Sequence, residues 1–232
     1  MPSLFPTTRW TLILAAQDDR EATRRALEEL FALYWKPVYF FLRRKGLDVA
    51  AAEDACQSFF LHLLEHDFLS RLDPARGRFR SYLLTALQHH LANLHAQASA
   101  QKRGGAFRFV PLDVALAERE LPAAPDAAAS AFEREWALGV MERAWSRLRG
   151  EYADGNRKGN ADTVARFFGF ERAPSYAEAA AESGMSVPQF KASLHRARAR
   201  FRELLKDEIA ATVDGEQAVD AELDDLVRAL SA

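Results

Sequence analysis

The composition of this chain predicts an all-α fold. Its 232 residues include 31 Lys and Arg against 33 Asp and Glu, so the formal net charge is −2, which excludes a histone-like or polybasic protein. Alanine occurs 43 times, but valine only 10 times and isoleucine twice. Because alanine favours helices whereas β-branched residues favour strands, we expect helices throughout. Cys56 is the single cysteine, which excludes a disulfide framework and a zinc site built from thiolates.

The sequence contains no candidate membrane span or secretory signal. No stretch approaches the roughly 20 apolar residues that a spanning helix needs. The short apolar run from Trp10 to Ala16 is preceded only by Arg9 and followed by an acidic pair, which is unlike a signal peptide. We therefore expect a cytoplasmic protein.

Apolar spacing predicts three helices in the first half of the chain. The first covers residues 20–46 and contains Pro37, which can kink or split it. The second follows the capping residue Asp48 and extends to about residue 66, and the third covers residues 81–100. The side chains expected to face inward are Leu27, Leu30, Phe31, Tyr34, Val38, Phe41 and Leu42 on the first helix, Ala52, Ala55, Cys56, Phe59, Phe60, Leu63 and Leu64 on the second, and Leu83, Leu84, Leu87, Leu91 and Leu94 on the third.

A linker is predicted between these helices and the rest of the chain. Residues 106–131 combine three prolines with small residues and a run of alanines, a composition typical of a linker or a partly disordered segment. Helical spacing resumes at Phe132, whereas the polar, Gly-rich residues 150–160 predict a loop. We therefore predict two small helical domains. The predicted boundaries are an N-terminal extension at 1–20, a first domain at 21–105, the linker at 106–131, a second domain at 132–208 and an acidic extension at 209–232.

The segment SYAEAAAESGMSVPQFKASLHRARARF predicts a helix-turn-helix in the second domain. Ala180 is small where two helices must cross closely, Gly184 permits a tight turn and Ser186 can cap the next helix, with Met185 and Val187 filling the corner. Such a second helix can enter the major groove of DNA. An ordinary basic helical hairpin is the alternative. The residues expected to face inward are Phe190, Leu194, Ala197 and Phe201, and those expected outside are Gln189, Lys191, Ala192, His195, Arg196, Arg198 and Arg202.

The average charge hides three charged segments. Residues 71–108 hold seven Lys or Arg against one Asp, a balance of +6, and residues 186–206 hold six against one Glu, a balance of +5. Two basic surfaces suggest a polyanionic partner that is contacted at two places, although solvated helix faces are the alternative. Residues 207–232 hold eight acids against one Arg, a balance of −7.

The acidic end also predicts a short helix at about residues 222–230. Its apolar stripe, at Leu223, Leu226, Val227 and Leu230, must find a partner. We expect this helix to dock on one of the two domains and to shade the basic face of residues 186–206, which would damp DNA binding. The alternative is a solvated tail that aids solubility.

Two motifs in the same chain resemble the extracytoplasmic-function class of bacterial sigma factors. The phrase SYAEAAAESGMSVPQFKASLHRARARFRELL resembles region 4.2 of that class, and AEDACQSFFLHLL followed by GRFRSYLLTALQHHLANL resembles its regions 2.2 and 2.3 to 2.4. The resemblance covers about residues 24–105 and 132–208 in the right order. It implies a factor that binds core RNA polymerase, reads a −10 element with the first domain and a −35 element with the second, and melts the promoter without an active site or a cofactor.

The resemblance also implies roles for individual residues, and it allows a regulatory partner such as an anti-sigma factor. Asp54, Gln57 and Phe60 would dock onto the coiled coil of the largest polymerase subunit, although helical geometry indicates that Phe59 and Phe60 cannot both be equally buried. The loop at residues 68–79 and the helix after it would hold a flipped base, on which an exposed Tyr or His can stack. The implied −10 residues are Arg78, Arg80, Tyr82, His89, Asn93, Lys102 and Arg103. The implied −35 residues are Ser186, Gln189, Lys191, Ala192, His195, Arg196, Arg198 and Arg202.

Other functions have weaker support in the sequence. His62 and His66 are four residues apart on a helix, but HLLEH lacks the glutamate position of the zincin motif. A glycine-rich phosphate loop and a nucleophile elbow are both absent from the sequence. We therefore expect no enzyme activity, no metal and no cofactor. The alternative function is a free-standing helix-turn-helix regulator whose N-terminal domain is an interaction module.

Overall fold

The computed structural model describes residues 20–65, 79–98, 117, 128–154, 161–168, 173–210, 213 and 216–231. Every regular element within these ranges is helical, which confirms the all-α prediction. No helix among them is long and apolar enough to cross a membrane. The elements are α1 (Arg20–Arg44), α2 (Val49–Glu65), α3 (Phe79–Ala98), α4 (Ala128–Asp154), α5 (Ala161–Ala165), a 3-10 turn (Arg166–Phe168), α6 (Tyr176–Glu182), α7 (Val187–Ala210) and α8 (Glu216–Ser231).

The helices belong to two compact units. The first unit contains the chain up to Gly139 together with the chain from Ala210 onward, and the second contains Val140–Ile209. The acidic C-terminal helix α8 is therefore part of the same unit as α1, α2 and α3.

Helix α1 is enclosed on all sides near its end. It runs through Pro37 without interruption, so the proline neither splits nor ends the helix. Five consecutive residues, 38–42, are at most 1% exposed. The sequence stripe predicted burial of Val38, Phe41 and Leu42 but missed Tyr39 and Phe40, because a stripe assumes that one face of a helix meets solvent.

Helix α2 starts as predicted and is packed on two sides. The Oδ1 atom of Asp48 accepts a hydrogen bond of 2.8 Å from the backbone N–H of Ala51, which caps the helix. Phe59 is 0% and Phe60 4% exposed, so the expectation that they cannot both be equally buried is wrong. The reason is that Phe60 packs against Phe31 of α1, with ring centres 4.4 Å apart, while Phe59 packs against a residue of α3. The inward set Ala52, Ala55, Cys56, Phe59, Phe60 and Leu63 is confirmed as buried.

Helices α3 and α4 differ from their predicted bounds. Helix α3 buries Leu83, Leu87 and Leu91 as predicted, but it begins at Phe79 rather than at residue 81. Helix α4 begins at Ala128 and continues to Asp154. The prediction of a loop from residue 150 is therefore wrong over residues 150–154.

The second unit is built around one apolar core. The inward residues Phe190, Leu194, Ala197 and Phe201 of α7 are all at most 8% exposed, as predicted, and they pack with the second half of α4 and with α6. Met185 and Val187 are partly buried against this core, which confirms that they fill the corner. Gly184 has a φ angle of +63°, a left-handed conformation that a side chain disfavours.

Candidate nucleic-acid interface

The outer face of α7 carries the predicted basic set. Lys191, Ala192, His195, Arg196, Arg198 and Arg202 are all exposed, as the periodicity predicted. Arg196 and Arg202 make no ion pair within the described part of the chain. The face therefore presents positive charge to solvent over three turns of the helix.

The turn between α6 and α7 is fixed by two sets of capping hydrogen bonds. On α6, the Ser175 hydroxyl accepts from the Glu178 backbone N–H at 3.2 Å, and the Glu178 carboxylate accepts from the Ser175 backbone N–H at 2.8 Å. These bonds lower the pKa of Glu178 below its ordinary range, because they favour the charged carboxylate. This capping box was not predicted, although a serine followed three residues later by a glutamate is its sequence signature.

The start of α7 uses two of the predicted DNA-contacting residues. The backbone N–H of Ser186 donates to the Gln189 amide oxygen at 2.8 Å, and the backbone N–H of Gln189 donates to the Ser186 hydroxyl at 3.4 Å. Both side chains are exposed, yet each has a role in capping the helix. The pair therefore fixes where α7 begins and how its first turn is presented.

An aromatic pair supports Lys191. The Lys191 ammonium lies 5.0 Å from the centre of the Tyr176 ring, and that ring stacks on Phe167 at 5.3 Å. A cation over an aromatic face is attracted by the ring quadrupole. The position of Lys191 is therefore coupled to α6.

Two other arginines of α7 form hydrogen bonds or ion pairs within the second unit. Arg198 donates to the backbone carbonyl of Phe167 at 3.2 Å. Arg200 contacts Glu151 through Nε and Nη2 at 2.7–3.1 Å and Glu203 at 2.8 Å. The Arg200 hydrogen bond lowers the pKa of Glu151, which is a stabilising contact for the charged carboxylate. Within the described residues, Arg198 and Arg200 thus differ from Arg196 and Arg202 in having protein partners.

A second exposed face lies on α3. Tyr82, at 40% exposure, shares this face with the exposed side chains of His89 and Asn93, as their spacing of seven and four residues implies. Arg78, Lys102 and Arg103, which were also predicted to contact the −10 element, lie outside the described residues.

The assignment of Arg80 to this face is corrected by the structure. Its side chain is only 4% exposed, and it makes ion pairs with Glu133, Glu222 and Asp225. Its guanidinium also lies 4.1 Å from the centre of the Trp136 ring. Arg80 sits on the core side of α3 and cannot contact DNA directly from that position.

Of the three predicted polymerase-docking residues, two reach the surface and one is buried. Asp54 is exposed and Gln57 is partly exposed, with its amide donating to Glu53 at 3.4 Å. Phe60, in contrast, is 4% exposed and belongs to the core between α1 and α2. Its assignment as a contact residue is therefore corrected, and it can act on the docking edge only by supporting it from beneath.

The histidines of α2 and α3 form a small cluster. His90 Nε2 lies 3.0 Å from the Ser58 hydroxyl, and its ring centre is 5.4 Å from that of His62. Burial, with a smaller effect from His62, lowers the pKa of His90 to about 4. Among the described residues, no group of three or more His, Cys, Asp or Glu side chains is arranged to hold a metal ion. His66, the other residue of the metal-site alternative, lies outside them.

Comparison with known families identifies the segment that contains α2 and α3. Residues 30–100 match the family model described as Sigma-70 region 2. This match supports a sigma factor. Region 2 of a sigma factor is involved in promoter recognition and in binding core RNA polymerase. The match includes both the edge bearing Asp54 and Gln57 and the face bearing Tyr82, His89 and Asn93. Comparisons with curated proteins and with solved structures gave no match.

Proposed function

We propose that this protein is a sigma factor of the extracytoplasmic-function class, which binds core RNA polymerase and directs it to promoters with defined −10 and −35 elements. The observation that carries the proposal is the region 2 match over residues 30–100. The basic exposed face of α7, in a separate unit, supplies a second surface suited to DNA. The factor would act in the cytoplasm, and this role needs no active site, because the polymerase performs the chemistry.

Recognition of the −35 element is assigned to α6, the turn and α7, acting as a helix-turn-helix. The major groove is about 12 Å wide and accepts one α-helix. Lys191, Arg196 and Arg202 are suited to phosphates as exposed cations, whereas Ala192 and His195 lie on the same outer face at positions that can approach base edges. The cap formed by Ser186 and Gln189 sets the first turn, so these two residues contribute by orienting the helix as well as by contact.

Recognition of the −10 element is assigned to the exposed face of α3. A tyrosine and a histidine on one face can stack on unpaired bases, which contributes about 1–3 kcal/mol per base. Asn93, on the same face, can donate to and accept from a base edge. Capture of unpaired bases by Tyr82 and His89 would stabilise the melted strand, which is how a protein without an active site can promote opening.

Docking to the polymerase is assigned to the exposed edge of α2. Asp54 offers a carboxylate and Gln57 an amide, three residues apart and therefore on neighbouring positions of the helix surface. Phe59 and Phe60 of α2 are buried and pack against each other, and Phe60 also packs against Phe31 of α1.

The deciding experiment is reconstitution of transcription with the purified full chain. Core polymerase is mixed with the protein and with fragmented genomic DNA, bound fragments are sequenced, and transcripts from them are mapped. A sigma factor co-elutes with core polymerase, gives defined start sites and binds duplex DNA poorly by itself. If the protein instead dimerises, binds duplex DNA alone and yields no transcript with core polymerase, it is the helix-turn-helix regulator and the proposal is wrong.

A further inference from the structure

The cluster around Arg80 joins three segments of the first unit. Arg80 is in the first turn of α3, Glu133 is in the first half of α4, and Glu222 and Asp225 are on α8. The Arg80 Nη2 atom lies 2.8 Å from Glu222 and 3.1 Å from Asp225. Arg80 and Glu222 are 4% and 1% exposed, so this is a buried ionic contact rather than a surface ion pair. One guanidinium therefore holds the C-terminal helix against α3.

Burial of apolar side chains accompanies the ionic contacts. Leu226 of α8 is 3% exposed and Val213, just before the helix, is 4% exposed. The outer side of the helix differs from the predicted apolar stripe, because Val227 is 57% exposed. Helix α8 thus buries the side that carries Glu222 and Leu226, as an integral helix of a domain does.

The DNA face of α3 points away from this cluster. At 3.6 residues per turn, Tyr82, His89 and Asn93 lie roughly 140–180° around the helix axis from Arg80. All three are exposed while α8 is in place. The acids of α8 that contact Arg80 are therefore engaged on the opposite side of α3 from the face assigned to the −10 element.

We propose that α8 is a brace for −10 recognition and that Arg80 is its positioning residue. Arg80 fixes the first turn of α3, and two residues later the same turn presents Tyr82. The brace acts through α3 without contacting DNA, and its role in promoter binding rests on the proposed function above. The expectation from the sequence was different: it was that the acidic tail covers the basic face of residues 186–206 and inhibits DNA binding. In the brace, loss of α8 contacts weakens −10 binding instead of relieving inhibition.

The burial of these charges explains why the brace depends on its carboxylates. Removing one side of a buried ion pair leaves an uncompensated charge that has lost its hydration. Replacing Glu222 and Asp225 by their amides leaves Arg80 with Glu133 as its only carboxylate partner from this cluster. The favourable state is then one in which α8 separates from α3 more often and Arg80 gains water.

The first test is hydrogen exchange on the full chain, and it does not depend on polymerase. The double variant Glu222→Gln with Asp225→Asn is compared with a control, Asp224→Asn, which neutralises an exposed carboxylate of α8 outside the cluster. We expect the amides of α8 and of residues 83–87, which follow the unpaired first amides of α3, to lose protection together by about tenfold or more in the first variant and to stay near the parent in the control. Equal protection in both variants overturns the brace.

The second test measures which binding step is weakened when the contacts of α8 with Arg80 are lost. Binding of each variant to core polymerase is measured, and holoenzyme made with it is titrated with a single-stranded oligonucleotide carrying the non-template −10 sequence and, separately, with a −35 duplex. We expect about threefold to tenfold weaker binding of the single strand, with unchanged binding of the duplex and of core polymerase. Tighter binding of the single strand means that α8 shades DNA, and an equal loss in all three assays means general destabilisation. Either result overturns the positioning role.

The two tests also separate this inference from the proposed function. If the parent protein gives no transcript with core polymerase, the sigma-factor proposal fails, while hydrogen exchange still decides whether Arg80 fastens α8. If the parent transcribes and α8 is protected only when its carboxylates are present, but binding of the single strand is unaffected, then α8 is a structural helix alone and its role in −10 recognition is rejected.

Discussion

The Lys191 ammonium lies over the Tyr176 ring, 5.0 Å from its centre, and this contact links the first residue of α6 to the outer face of α7. The ring is in turn stacked on Phe167, which contacts the core residue Phe190. A basic side chain on the candidate DNA-binding helix therefore contacts an aromatic ring that is itself packed on the core. This contact restricts the positions that the Lys191 ammonium can take.

Lys191→Ala and Arg196→Ala should each weaken binding to the −35 duplex without unfolding the second unit. Both side chains are exposed, so their removal leaves the core intact. Loss of one phosphate contact should lower the slope of log K against log salt concentration by about 1. Affinity measured by holoenzyme titration at several salt concentrations checks this. Normal transcription by both variants at moderate salt would show that the recognition face has been assigned wrongly.

Tyr176→Leu should weaken −35 binding less than Lys191→Ala does. An exposed cation–π contact contributes about 0.5–1 kcal/mol, so the loss should be about twofold to fivefold. Tyr176→Phe keeps the ring and is the control, which should bind like the parent. On a Lys191→Ala background, Tyr176→Leu should add nothing further. Additive losses in that double-mutant cycle would mean that Tyr176 acts independently of Lys191.

Asp54→Ala combined with Gln57→Ala should weaken association with core polymerase while the melting temperature stays close to that of the parent. Neither side chain is buried, so the change removes surface groups alone. Phe60→Ala is the contrasting variant, and it should lower the free energy of unfolding by about 3–5 kcal/mol, as loss of a core aromatic does. Co-elution with core polymerase and thermal melting measure the two effects. The docking assignment loses its support if the double variant simply unfolds.

Acidification should destabilise the first unit through His90. The pKa of His90 is lowered from 6.5 to about 4, so the unfolded state binds more protons between these two pH values. The free energy of unfolding should therefore fall as the pH decreases from about 6.5 to about 4, because stability rises with pH wherever the unfolded chain binds more protons. Urea titrations across this range, with His90→Gln as the comparison, measure the effect. Identical pH slopes in parent and variant would contradict it.

His62 gives a second variant for the same measurement. It is the neighbouring charge that lowers the pKa of His90 in addition to burial. In His62→Gln the pKa of His90 should move part of the way towards its ordinary value, and the pH slope should become shallower than in the parent. The change should be smaller than in His90→Gln, because burial is the larger cause.

The face of α7 was readable from the sequence, whereas the environment of Arg80 was not. Local spacing decides which residues of an isolated amphipathic helix point inward, and Phe190, Leu194, Ala197 and Phe201 followed that rule. Arg80 acquires its environment from Glu222, which is 142 positions away. Local sequence patterns do not reveal contacts between residues so far apart in the chain. Arg80, a basic residue next to the predicted DNA-binding face, was therefore predicted to contact DNA.

Two pairs of adjacent aromatic residues, one on α1 and one on α2, are buried more completely than helical periodicity predicted, for a related reason. Phe59 and Phe60 are both buried because one packs towards α3 and the other towards α1. Tyr39 and Phe40 are buried for the same kind of reason, since residues 38–42 of α1 meet protein on every side. Interpreting helical periodicity assumes that one face of the helix is exposed to solvent. The periodicity carries no information on how many other helices pack around it.

Membership of α8 in the first unit has a consequence for the order of synthesis. The ribosome makes α1, α2, α3 and the start of α4 first, then the whole of Val140–Ile209, and only afterwards the helix that contributes Glu222 and Asp225. At about 5–20 residues per second, making those intervening residues takes roughly 4–14 s. During that interval the nascent chain has the Arg80 site without its two C-terminal carboxylates. A chain that is terminated before residue 222 therefore lacks a part of its first-made unit, and full assembly of that unit requires translation to have passed Asp225.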